Sequence, residues 1–187
     1  MSDTPFEVTD EIETGDMSDV QEDLLPASSK VLFSIKKASV DTITVSKEDK
    51  TPTLKKIRLQ AKLVEGIEVT QDGVTSIKYK GKVSFIDFLV WHNPEFKKGN
   101  WYESRKYMLP YKQFLIAMKY DTKNSPKIND ELLGSWKDLE FRCDVLQKPI
   151  QVEKRDEQGN KILDENDKTI WVDTSDLKNE YKNFRAA

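Results

Sequence analysis

Apolar and polar residues alternate cleanly after Leu54: Ile57, Leu59, Ala61 and Leu63 share one face, and Lys56, Arg58, Gln60 and Lys62 the other. That period of two predicts a strand running towards Val69, buried on one side and strongly basic on the other. Before it, Val31, Phe33 and Ile35 in the β-branched run 31–45 predict another strand, and Ser46 to Pro52 a turn-type linker. After it, Gln71-Asp72-Gly73 predicts a hairpin turn, because glycine supplies the positive φ such turns need. A third strand is expected over 78–91, and there the alternation changes phase. Up to Phe85 the apolar residues are odd-numbered (Tyr79, Val83, Phe85), and from Ile86 they are even-numbered (Ile86, Phe88, Val90). A one-residue slip is what a β-bulge produces, so a bulge is expected at Phe85-Ile86. It sets Leu89 and Trp91 on the outer face with Lys78, Lys80 and Lys82. The competing reading is a strand buried on both faces at its far end, with solvated lysines at its near end.

Asn93-Pro94 ends that strand, and Lys98-Gly99-Asn100 turns into an expected further strand, Trp101–Leu109. Pro110 then enters a helix whose Tyr111, Phe114, Leu115 and Met118 form one apolar stripe, ending near Tyr120. Asn129-Asp130 caps a short turn through Leu132-Leu133, closed by Gly134. Leu139, Phe141, Cys143 and Val145 alternate as another strand. A polar meander occupies 150–172, with turns at 158–160 and 164–167, and the last segment, 179–184, fits either a closing strand or a helical turn. This order predicts a mainly β fold: an OB-fold-like Greek-key β-barrel with one short helix between its third and fourth strands. A β-sandwich with one helix competes with it.

Charge divides the chain. Residues 1–29 hold nine acids and no Lys or Arg, so 1–29 reads as a disordered acidic tail, and deleting 1–27 is expected to leave thermal stability almost unchanged. Residues 30–187 form the body, with 30 basic against 24 acidic residues, a net +6. An acidic tail on a basic body hints at nucleic acid. The stretch 78–110 concentrates the signal: eight of the chain's 18 aromatics are interleaved there with seven Lys or Arg. Such interleaving suits a polymer that is both stacked upon and neutralised. A single Cys excludes an intrachain disulfide framework. With no apolar run of membrane-spanning length and no signal-peptide layout, the chain is expected to be soluble and cytoplasmic, without a membrane partner.

Five stretches carry a resemblance: the strand KIRLQAKLVEG, then YKGKVSFIDFL, the helix PYKQFLIAMKY, the turn LLGSWKDLEFRCDV and the terminal NEYKNFRAA. Over roughly 31–187 their order resembles that of phage-encoded OB-fold proteins of the single-stranded-DNA-binding type. The acidic tail is N-terminal here, whereas such proteins more often carry it at the C-terminus, and the 150–172 insertion is long. The resemblance implies a protein of phage DNA replication or recombination, working in the cytoplasm of an infected bacterium.

The expected activity is sequence-independent binding of single-stranded DNA, with RNA left open. Lys56, Arg58, Lys62, Lys78, Lys80 and Lys82 would follow the phosphates, joined by Lys97, Lys98, Arg105 and Lys106, while Trp91, Trp101 and Tyr102 stack on bases. Replication or recombination proteins and a second copy of the chain are further partners left open, and no cofactor is expected. Chemistry is thin. His92, the only histidine, reads as structural, and Cys143 as a core thiol. Trp136 reads as core, whereas Trp171 fits core or groove. The enzymatic alternative is a Mg²⁺-dependent nuclease using Asp87, Glu95 and Lys97; the third reading is a structural or virion interaction protein.

Overall fold

In the computed structural model, which describes residues 24–165 and 169–187, the alternation recognised in sequence builds β1 (Ser28–Thr44), β2 (Pro52–Leu63) and β5 (Val83–His92). A small hairpin of β3 (Ile67–Gln71) and β4 (Val74–Lys78) stands between the last two, and β6 (Glu140–Glu153) and β7 (Trp171–Ala186) complete the strands. Short helices α1 (Asn100–Glu103), α2 (Leu109–Ala117) and α3 (Asp130–Ser135) separate β5 from β6. All long strands pair antiparallel in one sheet of order β5-β2-β1-β6-β7.

The core lies on one side of that sheet. Ile57, Leu59, Ala61 and Leu63 of β2 are buried as their alternation predicts, with Phe33 and Ile35 of β1 and Phe141, Cys143 and Val145 of β6. Helix α2 lays Tyr111, Phe114 and Leu115 over them. Phe114 is the hub: its ring lies 5.0 Å from Phe88, 5.2 Å from Trp136 and 5.6 Å from Phe141. Trp136 is fully buried, and its indole N–H donates to the Tyr120 hydroxyl at 3.1 Å. Asn129 caps α3 by accepting from the Leu132 N–H, the cap expected from sequence. Burial in this apolar setting pushes the Cys143 thiol well above its ordinary pKa, in keeping with a core role.

Five expectations are corrected. First, the sheet does not close into a barrel. Its edges β5 and β7 meet only through side chains, with the Phe88 and Phe184 rings 5.1 Å apart and Tyr181 held against Ser84. Helix α2 packs on both edges, where a closing ladder would run. Second, Trp101–Leu109 is helical, as α1 and a 3₁₀ turn at Lys106–Met108. Its aromatics gather on one another instead of alternating. Third, there is no slip at Phe85-Ile86: Ser84, Ile86 and Phe88 point inward and Val83, Phe85 and Asp87 outward. The bulge falls at Val90, since Lys56 pairs with Leu89 and Lys55 with Trp91. Fourth, Lys78, Lys80 and Lys82 do not form one row on one strand. Lys78 ends β4, and a turn with Tyr79 and Gly81 at positive φ leads into β5. Fifth, the acidic tail cannot extend to residue 29: Leu25 is fully buried and β1 starts at Ser28. The rest of the expected tail, 1–23, lies outside the described residues.

The 150–172 meander is the far end of the long β6–β7 hairpin, which pairs Glu153 with Trp171 and continues in bridges at Arg155–Lys161 and Leu163–Thr169. Trp171 is exposed there. The turn expected at 164–167 runs into 166–168, outside the described residues. Segment 179–184 is strand, within β7.

Candidate nucleic-acid interface

Residues directly opposite one another in an antiparallel ladder share a face. The registers therefore set outward rows across β5, β2 and β1: Val83–Lys62–Ser34, Phe85–Gln60–Lys37, Asp87–Arg58–Ser39 and Leu89–Lys56–Asp41. Phe85 stands in the middle, 60% exposed, with the Arg58 guanidinium 5.8 Å from its ring centroid. A large aromatic left outward on a twisted sheet, beside cations and an amide, is a flat platform with polar groups at its rim.

Two of the expected phosphate contacts are tied up within this face. Arg58 grips Asp87 with two bonds, Nε to Oδ1 at 2.9 Å and Nη2 to Oδ2 at 3.0 Å, and reaches Asp41 at 3.2 Å through Nη1. Lys56 Nζ donates to Asp87 Oδ2 at 2.6 Å. Burial alone would raise the Asp87 pKa, but the bonds from Arg58 and Lys56 outweigh it and hold the carboxyl below its ordinary value. Lys37, Lys55, Lys62 and Lys80, by contrast, pair with no carboxylate among the described residues. Lys62 and Lys80 meet Lys36 around a groove of about 460 Å³ at the end of β2; Lys36 itself donates to Asp138 at 2.7 Å.

Past the Val90 bulge the register pairs Trp91 with Lys55, in phase with the inward Ile57, so the two stand on the other side of the β5 edge; Trp91 is exposed there, with Lys55 Nζ 5.3 Å from its ring. Lys82 Nζ lies 5.5 Å from the Tyr79 ring, at the turn that also holds Lys80. Beyond β5 an aromatic knot forms. His92 lies 5.3 Å from both Tyr102 and Tyr107, and Trp101 stands edge-on to Tyr102 at 4.9 Å. Trp101 remains half exposed while Tyr107 is buried, so Trp101 is the knot's outward member. Lys97 and Lys98 lie in the loop before it. Arg105 and Lys106 do not join the strand face; they line a separate cleft with residues of α2.

Asp87 and Glu95, with Lys97, make up the nuclease alternative. The Asp87 carboxylate is engaged by two cations, and Glu95 sits in the 93–97 turn, its backbone N–H bonded to Asn93 Oδ1. No group of three or more His, Cys, Asp or Glu able to hold a metal ion occurs among the described residues. Phe85, Lys37 and Lys55 are the site residues that the sequence pattern did not point to. Extending the inward phase of Ile86 and Phe88 back to Ser84 would have turned Phe85 outward; the polarity of Ser84 hid it.

No protein-family model matches this chain, and neither does a curated protein or a solved structure. No helix among the described residues is long and apolar enough to cross a membrane. The molecule is defined by its own geometry as a mainly β protein: an open, five-stranded antiparallel sheet with a basic and aromatic outer face.

Proposed function

We propose that this chain binds single-stranded DNA without sequence preference on the outer face of β2 and β5. The observation that carries this reading is Phe85, a solvent-facing ring ringed by Arg58, Gln60 and Lys62 on the face where OB-type folds take oligonucleotides. The strand order supports it too. β5-β2-β1-β6-β7 with helices between β5 and β6 is an OB-type Greek-key order, left open between β5 and β7. Stacking falls to Phe85 on this face, with Lys37, Lys62 and Lys80 on the phosphates; Trp91 with Lys55, turned to the other side by the Val90 bulge, and Trp101 would engage the strand where it passes round the β5 edge. The resemblance to phage OB-fold proteins accords with a role in replication or recombination.

Fluorescence titration with oligo(dT) across a salt series tests this. Four phosphate contacts at about 0.7 each predict a log–log salt slope of roughly −3. Phe85→Ala should weaken binding by about 1–3 kcal/mol, the range for one stacked base, and Trp91→Ala likewise. Neither variant should shift the melting temperature appreciably, because both side chains are exposed. Oligo(dT) affinity unaltered by Phe85→Ala would remove the central platform and sink the reading.

The nine acids of the first 23 residues add a second expectation. Tethered to a basic body, they compete with the polyanion at high effective concentration. Deleting residues 1–23 should therefore tighten binding at low salt, with the gain vanishing as the Debye length shortens. Equal affinities for the two chains at every salt concentration would show that the segment does not reach the site.

A further inference from the structure

Between the 104–112 segment and the 122–125 loop lies a cleft of about 550 Å³. Arg105, Lys106, Lys112 and Lys123 line it, and no carboxylate does. None of the four forms an ion pair among the described residues. Elsewhere several cations are matched, Lys36 with Asp138, Arg142 with Glu65, Lys148 with Glu180 and Lys161 with Glu153, but here four gather around one concavity with none. Four unmatched cations around one concavity repel each other and raise the local potential, and an anion seated among them relieves both. The hydroxyl-bearing Thr122 and Ser125 stand at the same rim.

The remaining wall is apolar. Met108, Leu109 and Leu115 build it together with the ring of Tyr111, which is itself almost wholly buried. Arg105 joins the two halves, since its Nη2 lies 3.2 Å from the Met108 sulfur and its planar head is held against that wall. The volume suits a ligand of small-molecule size, well beyond a bare phosphate ion. An apolar wall facing a cationic rim, with no acid to repel the ligand, fits a flat ring attached to a phosphate.

We infer that this cleft takes one nucleotide unit, its base against Met108, Leu109 and Leu115 and its phosphate among Arg105, Lys106, Lys112 and Lys123. The unit is either a free mononucleotide or the 5′-phosphorylated end of a bound strand. The inference rests on the nucleic-acid reading for its choice of ligand, and it gives Arg105 and Lys106 a task apart from the strand face.

Isothermal titration of the full chain with dTMP, with inorganic phosphate, and with oligo(dT) carrying a 5′-phosphate or a 5′-hydroxyl tests it. The variants are Lys112→Ala/Lys123→Ala and Arg105→Gly. Arg105 has a left-handed backbone, φ 57, so glycine removes the charged head without straining the chain. A thermal melt of each variant confirms that it folds. A free-nucleotide site shows dTMP binding that falls about tenfold in both variants, as expected for losing charge-assisted bonds to phosphate, with no effect of the 5′-phosphate on oligo(dT). A strand-end site shows a 5′-phosphate gain of about that size, abolished in both variants. Inorganic phosphate binding as tightly as dTMP overturns the nucleotide assignment, as does dTMP binding and a 5′-phosphate gain indifferent to the variants. The absence of both signals overturns it too. If 5′-hydroxyl oligo(dT) still binds in a Phe85-dependent way, that failure belongs to the cleft alone; if no oligo(dT) binds at all, the strand-face reading fails, and dTMP still decides the cleft.

Discussion

Deleting residues 1–27 is expected to cost the fold about 3 kcal/mol or more, whereas deleting 1–23 leaves its stability unchanged. The difference is Leu25. Its side chain is fully buried in the main core, although it precedes the first strand. Its backbone is clamped by a cross-strand pair, Gln147 on β6 and Asn179 on β7. The Leu25 N–H donates to Asn179 Oδ1 at 3.0 Å, and its carbonyl accepts from Asn179 Nδ2 at 2.8 Å and Gln147 Nε2 at 3.1 Å. Removing a buried leucine side chain costs about 2–5 kcal/mol, and the two amides would lose their partners besides. Urea denaturation of the two truncations and of Leu25→Ala separates the terms. The 1–27 truncation should be the least stable, Leu25→Ala intermediate, and the 1–23 truncation indistinguishable from the full chain. A 1–27 truncation that unfolds at the same urea concentration as the full chain would show that Leu25 does not belong to the cooperative unit.

Leu25 also shows where reading the sequence stops. Two leucines behind an acid-rich stretch look solvated, because what holds the Leu25 backbone comes from Gln147 and Asn179, more than 120 residues away. β2 was legible for the opposite reason: over 56–63 its outward residues are charged or polar and its inward ones aliphatic, so the local pattern and the burial agree. The α2 stripe and the Asn129 cap are local in the same sense. β5 is an edge strand, and there the agreement fails. Ser84 is buried against Tyr181 while Phe85 is left outside, so polarity and burial are inverted over two residues. Trp91 is exposed, but not on the outer face expected for it: the bulge at Val90 turns it to the side of Ile57, opposite Lys55. Over 101–109 the strand expected after the Lys98-Gly99-Asn100 turn had no alternation behind it, and Trp101, Tyr102 and Tyr107 instead collect beside His92 on helical turns. The basic side of the site was therefore visible in β2, and its aromatic centre was not.

Asp144→Asn should destabilise the protein by roughly 2–3 kcal/mol at neutral pH, the scale of losing charge-assisted bonds, moderated because the partner Arg185 is partly exposed. This carboxylate anchors three strands. It accepts from Arg185 Nη1 at 2.9 Å and Asn183 Nδ2 at 2.7 Å on β7, and from the Lys30 backbone N–H at 2.9 Å on β1. Lys30 and Asn183 both have φ 54, a left-handed backbone that is unfavourable for lysine and better tolerated by asparagine. Each sits at a register shift, one between Ser28 and Val31, the other where β7 slips against Arg142 and Asp144. One side chain thus holds two bulges in place. An amide at this position is a poor substitute, because its NH₂ group would face the donors of Asn183 or Arg185. The bond from Arg185 first, and those from Asn183 and Lys30 after it, keep the Asp144 carboxyl well below the ordinary carboxylate range. A carboxyl whose pKa is lower folded than unfolded stabilises the fold fully above its unfolded value, about 3.9, and loses that contribution as the pH falls through the depressed folded value. The stability gap between wild type and Asp144→Asn should accordingly be widest at pH 6–7, begin to close below about pH 4, and narrow further towards pH 2. Urea melts of both proteins along that series measure it. A gap that stays constant down to pH 2 would mean that Asp144 acts through its shape and neutral hydrogen bonds, and that its charge does not hold the two bulges.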